Sequence, residues 1–171
     1  MTQDSSLYCI HDDCLTADQH KQVDIFALQV VIDTADYLYS PEVCACLSPL
    51  IELARKHYDL SSTLYYEIWQ QYNPVEVPPH VDKDEALAKK QILVNPLCSM
   101  VFYHDISDDM TGGELVLVDP VTEEEHQIKP KTNRLVVFQP NVLHWVNDYE
   151  GHRHSILCNP WNRPLGLIDH V

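Results

Sequence analysis

The chain has 171 residues, 45% of them hydrophobic, which fits one domain with a sizeable core rather than a disordered tail. Its 26 acids against 11 bases give a net charge of −15. An acidic chain repels phosphate backbones and anionic bilayers, so nucleic acid and membrane surfaces are excluded as main partners.

In chain order, the opening MTQDSSLYCIHDDCL has neither a basic stretch nor an apolar run, so no secretory leader is expected. No window approaches the roughly 18 consecutive apolar residues of a membrane span. Six cysteines, at 9, 14, 44, 46, 98 and 158, then read as reduced thiols of a cytoplasmic protein. Residues 1–21 hold no clear period and read as an irregular arm. Cys9, His11, Asp13 and Cys14 are zinc-ligand types, but C-x4-C without a second matching pair is a weak signal, and a solvated arm is expected.

Phe26 to Ile32 (FALQVVI) is a β-prone run. Pro41 to Tyr58 has helical spacing at Val43, Leu47, Leu50, Ile51 and Ala54, with a break or kink expected at Pro49. Cys44 and Cys46 fall on this helix and read as packing. From Thr63 the character changes to strands: TLYYEIWQQY, VNPLCSMVFYHDI, GELVLVD, RLVVF, NVLHWV and RHSILCN, separated by Pro, Asn, Asp and Gly. Such density predicts a mainly β jelly roll with N-terminal helical packing on one sheet. The expected single domain divides into an N-terminal arm, strand and helix (1–62), a core (63–162) and a tail (163–171). Eleven prolines against four glycines agree with this body. Cys98 and Cys158 fall in apolar runs and read as small core residues. Glu123 to Glu125 read as a solvated hairpin turn, residues 83–92 as a surface loop or short helix that could also gate a site, and Trp145 and Trp161 as core.

VPPHVDKDE carries His80 and Asp82, which share a face on an extended backbone. A third ligand must come from another strand. His144, in the apolar run NVLHWV, has no packing reason to be there. Two imidazoles and a carboxylate make the facial triad of non-haem iron(II) oxygenases, which leaves the opposite positions of the ion open. H-x-D alone is a common triplet, and His57, His104, His126, His152, His154 and His170 remain as rival ligands.

Arg153 follows His144 in NDYEGHRHSILCNPW. On a strand, Arg153, Ser155 and Leu157 share one face, which turns a guanidinium and a hydroxyl the same way. A guanidinium grips a carboxylate through two parallel N–H bonds, and an arginine inside a barrel needs a counter-charge.

The pattern His80-x-Asp82, His144, Arg153-x-Ser155 resembles the Fe(II)/2-oxoglutarate-dependent oxygenase superfamily, and its prolyl-hydroxylase-like branch most. Asp109 to Leu115 (DMTGGEL) and FQPNVLHWV are similar to that branch too. The resemblance covers roughly residues 63–162. It implies a double-stranded β-helix, iron(II) on His80, Asp82 and His144, and 2-oxoglutarate held by Arg153 and Ser155. It also implies O₂ as co-substrate, with ascorbate as an accessory reductant, and hydroxylation of an unactivated C–H bond with release of succinate and CO₂. In that branch a tyrosine often shares the distal carboxylate; Tyr103 and Tyr72 are the candidates, and Tyr103 is preferred. The carboxylate at Asp82 disfavours halogenation. Many collagen-type prolyl hydroxylases have lysine where this chain has Arg153, so the substrate stays open between a peptide or protein and a small amino-acid-like molecule. The alternatives are a zinc hydrolase and a silent metal-binding barrel using the same His-Asp-His set.

Overall fold

The computed structural model describes residues 6–30, 38–39, 45–72 and 77–166. The elements run β1 (Tyr8–His11), α1 (Ala17–Val30), β2 (Leu38–Tyr39), a 3₁₀ turn (Ala45–Leu47), α2 (Ser48–Ala54), β3 (Tyr65–Gln71), β4 (Val77–His80) and α3 (Glu85–Ala88). They continue with β5 (Ser99–Ile106), β6 (Thr111–Gly112), β7 (Leu115–Val118), β8 (Glu125–Ile128), β9 (Arg134–Phe138), β10 (Leu143–Val146), β11 (Tyr149–Glu150) and β12 (Arg153–Trp161).

Two antiparallel sheets face each other. One has six strands in the order β1-β9-β5-β12-β3-β2, the other four in the order β4-β10-β7-β8. This is the mainly β jelly roll expected from the strand density. None of the helices among the described residues is long and apolar enough to cross a membrane.

Alternation sorts the side chains of the larger sheet between two cores. Ile68, Met100, Phe102, Leu135, Val137, Ile156 and Cys158 face the helical layer, where Val23, Leu47, Leu50, Ile51 and Ala54 cover them. Val101, Tyr103, Val136 and Phe138 face the second sheet and meet Leu115, Leu117, Ile128 and Val142. β5 and β12 therefore have apolar neighbours on both faces, which is why SMVFYHDI and RHSILCN read as nearly continuous buried runs. Each fully buried side chain of this kind contributes about 1.5–3 kcal/mol.

The N-terminal third departs from the sequence reading in three places. Residues 26–30 of the β-prone run lie in α1, not in a strand. Thr16 starts this helix: the Gln19 N–H donates to Thr16 Oγ1 at 3.3 Å, and the Thr16 N–H donates to Gln19 Oε1 at 2.9 Å. That reciprocal capping box outweighs the weak β preference of Val and Ile. Secondly, the arm is not irregular throughout, since β1 pairs with β9 from Tyr8↔Phe138 to His11↔Leu135. Thirdly, Pro49 does not break its helix. It stands in the first turn of α2, where a missing N–H costs nothing. Cys44 lies outside the described residues, and Cys46 is half-buried in the 3₁₀ turn.

The charged stretch 83–92 contains α3. Asp84 is 1% exposed and caps it, accepting from the Ala86 and Leu87 N–H groups at 3.0 Å and from Gly166 N–H at 2.6 Å. Trp161 is buried and donates its indole N–H to Glu67 at 3.0 Å. Cys98 and Cys158 are buried, as expected of small core residues.

Candidate metal centre

β4 and β10 lie side by side, with His80 directly opposite His144. Their ring centroids are 4.2 Å apart. Asp82 follows the end of β4, and its Oδ1 stands 3.8 Å from Nε2 of both histidines. One ligand atom from each of the three residues lies within 4.8 Å of the others, so this set could hold a metal ion.

Both imidazoles are oriented the same way. His80 Nδ1 is 2.8 Å from the Pro78 carbonyl, and His144 Nδ1 is 2.9 Å from the Val142 carbonyl. A carbonyl only accepts, so each Nδ1 carries the hydrogen and donates, and each Nε2 is the ring nitrogen turned toward Asp82. Burial lowers the His144 pKa, with His80 adding to that direction. Asp82 and the Val142 hydrogen bond oppose it without reversing it. The ring is thus neutral at neutral pH, the state a metal requires. On the other side, Ser99 Oγ donates to Asp82 Oδ2 at 2.5 Å, and Asn95 Nδ2 donates to the Asp82 carbonyl at 2.6 Å. The remaining carboxylate oxygen, Oδ1, faces the two imidazoles. Two imidazole nitrogens and one carboxylate oxygen converging from one side fit iron(II) with its opposite positions open.

The same three residues line a cavity of ≈ 50 Å³ that extends to Arg153. That is several times the roughly 10–15 Å³ one water needs. Arg153 is 1% exposed. One of its terminal nitrogens donates to Gln71 Oε1 at 3.2 Å. Its guanidinium carbon stands 5.3 Å from the Tyr103 ring centroid and 5.7 Å from that of Tyr149. Cation–π contact of this kind returns about 0.5–2 kcal/mol, less than burial of a cation costs.

Three buried polar atoms have no hydrogen-bond partner among the described residues: Arg153 Nε, Tyr103 Oη and Ser155 Oγ. Ser155 sits opposite Tyr103 across the β12–β5 ladder, beside a register shift between His154 and Ser155. Burial raises the Tyr103 pKa against the pull of Arg153, so the phenol keeps its proton and can donate. A buried guanidinium with an unused N–H fits a carboxylate. The three metal-type ligands and this guanidinium line one cavity.

Tyr149 owes its position to a glycine turn. β6 pairs with β11, Gly112 opposite Tyr149. Gly112 has φ +73°, and a Cβ there would stand 2.2 Å from the Asp148 carbonyl oxygen. Only glycine allows this approach, which accounts for the Gly-Gly pair in DMTGGEL.

Tyr72 does not reach the cavity. It is 36% exposed, stacks on His154 at 4.0 Å and donates to Gln70 at 2.7 Å. Strand alternation sends Gln71 inward and its two neighbours outward. The rival histidines are elsewhere: His57 beside His11, His104 and His154 beside each other, His126 beside Tyr8, and His152 at 3.3 Å from Asp105. His170 lies outside the described residues. Gln71, Ser99 and Tyr149 were missed by sequence reasoning. Gln71 alone had a signal, as an inward position of an alternating strand.

The model of the 2OG-Fe(II) oxygenase superfamily matches residues 68–161. No curated protein matches the chain. Among solved structures, a Pseudomonas putida prolyl-4-hydroxylase superposes with a TM-score of 0.66 at 18% identity, over 94% of this chain and 90% of that one. A Trichoplax adhaerens prolyl hydroxylase, solved with a hypoxia inducible factor peptide, gives 0.61 at 14% identity, over 92% and 84%. HygX from Streptomyces hygroscopicus, solved with nickel and 2-oxoglutarate, gives 0.59 at 8% identity, over 92% and 84%. At these identities the likeness is one of fold.

Proposed function

The chain belongs to the 2OG-Fe(II) oxygenase superfamily, and from that premise we propose that it is a hydroxylase with iron(II) on His80, Asp82 and His144 and 2-oxoglutarate on Arg153. Iron(II) and 2-oxoglutarate together supply the family's chemistry: one atom of O₂ enters the succinate formed with CO₂, and the other becomes the hydroxyl placed on an unactivated C–H bond. The observation that carries the reading is the buried Arg153 guanidinium, with no carboxylate partner among the described residues, in the cavity lined by the three metal-type ligands.

The chain's own residues have four tasks in this reading. The Pro78 and Val142 carbonyls fix the tautomers of His80 and His144. Ser99 holds Asp82 so that Oδ1 is presented to the metal. Arg153, Tyr103 and Ser155 grip the distal carboxylate of 2-oxoglutarate, while Gln71 keeps the guanidinium in place. Val101, Leu115, Phe138 and Leu157 exclude water from the space between, which strengthens each of those contacts.

The substrate in this reading is a peptidyl or small amino-acid-like C–H donor. The relative solved with a peptide supports the first class; the arginine anchor leaves room for the second. The cysteines among the described residues form no disulfide with one another. A zinc hydrolase on the same ligands would have no use for a buried guanidinium.

Replacing Ser99 with Ala removes the donor to Asp82 and leaves the carboxylate free to rotate. Iron(II) affinity in anaerobic titration is expected to fall by about 10- to 100-fold, the usual effect of losing a group that orients a ligand. Unchanged affinity would show that Ser99 has no orienting role.

A further inference from the structure

A second group of metal-ligating side chains lies on the other face of the larger sheet. Cys9 and His11 alternate on β1, so both leave the strand on one side. Cys9 packs against the helical core, and Tyr8, the residue before it, against the inter-sheet core. His57 arrives from the turn after α2, with its ring centroid 5.2 Å from that of His11. One ligand atom of each residue lies within 4.8 Å of the other two, and all three residues are half-buried. His11 Nε2 is buried without a hydrogen-bond partner among the described residues. Cys14 is turned away, since its thiol donates to the His11 carbonyl at 3.0 Å.

We propose that Cys9, His11 and His57 form a second metal site, for a borderline-soft divalent ion of the zinc class, separated by the larger sheet from His80, Asp82 and His144. The donor chemistry sets the two sites apart. A thiolate and two imidazoles favour zinc-like ions, whereas the carboxylate-bearing set suits iron(II). Bonds of about 2.0–2.3 Å place the ligand atoms of a tetrahedral site roughly 3.3–3.6 Å apart. The observed limit of 4.8 Å is therefore closed by side-chain rotation of about an ångström, without moving β1 or α2. Water completes the coordination. Lys56 opposes a cation here: it lowers the His11 pKa, after burial and His57. The charge of the metal-bound thiolate offsets it. Such an ion would tie the edge strand β1 to the helical layer.

Cobalt(II) reports the site directly, because a thiolate ligand adds a near-ultraviolet charge-transfer band that the His-Asp-His set cannot produce. Titrating the reduced full chain with Co²⁺ is expected to show two equivalents, with the thiolate band growing on one of them. Cys9→Ser and His57→Gln should each remove the band and one equivalent. His80→Ala should remove the other equivalent and keep the band. His57→Gln serves as the independent variant if Cys9→Ser fails to fold. No thiolate band in the wild-type chain, or a band that survives Cys9→Ser or His57→Gln, overturns the proposal. A wild-type chain that takes up only the equivalent carrying the thiolate band would count against the iron site instead.

Discussion

Arg153→Leu is expected to weaken 2-oxoglutarate by roughly 30-fold to several thousand-fold while leaving iron(II) affinity unchanged. Removing one partner of a buried, hydrogen-bonded charge pair costs about 2–5 kcal/mol, and every 1.4 kcal/mol is about tenfold. Arg153 is nearly fully buried and touches none of the three metal-type ligands through a hydrogen bond, so the two affinities should separate. The variant also has a stability signature. In the chain alone the guanidinium is a buried cation with an unpartnered Nε, and replacing such a charge by an apolar side chain is often neutral or stabilising. Arg153→Leu should therefore melt no lower than the parent without 2-oxoglutarate, and should lose the rise in Tm that 2-oxoglutarate gives the iron-loaded parent. Isothermal titration and thermal melts test both. A variant that binds 2-oxoglutarate as well as the parent means the anchor is elsewhere.

Asp82→Ala carries the larger effect on the metal. The carboxylate is the sole anionic ligand of the set, and both imidazoles aim their Nε2 atoms at its Oδ1. Groups that merely orient a ligand are worth about 10- to 100-fold in affinity, so loss of the ligand itself should exceed about 100-fold. Stoichiometric iron(II) binding and succinate release should both disappear. The fold should survive, because Asp82 lies after the end of β4 and contributes to neither apolar core. Iron binding measured on the variant under anaerobic conditions, alongside circular dichroism, checks this. Retained tight binding would contradict the ligand assignment.

What was legible in the sequence followed from period and spacing. The i, i+2 pair His80 and Asp82, the histidine stranded in an apolar run and the inward face of RHSILC all follow from alternation along one strand. The structure brings those residues together because β4 and β10 are neighbours. Contacts between distant strands were not legible. Gln71 meets Arg153 through the β12–β3 register, Ser99 meets Asp82 from the start of β5, and Tyr149 reaches the guanidinium through a two-strand ribbon. Nothing local in the chain encodes those registers. The same holds for β1, whose partner β9 lies at the far end of the chain, and for His57, which closes on Cys9 and His11 only once the helical layer is packed. The N-terminal helix is a different case. Its capping box at Thr16 and Gln19 stood in the sequence, and a run of β-branched residues obscured it. Strand parity sets Tyr72 beside Gln70 while Gln71 meets Arg153.

In the function proposed here, iron(II) on His80, Asp82 and His144 and 2-oxoglutarate on Arg153 meet in one cavity. The most direct measurement is anaerobic: load the chain with iron(II), add 2-oxoglutarate, and record the visible spectrum. A metal-to-ligand charge-transfer band is expected that saturates at one equivalent of 2-oxoglutarate in the parent and is absent in Asp82→Ala. A folded, iron-loaded parent that takes up 2-oxoglutarate without that band, or takes up none, would contradict it.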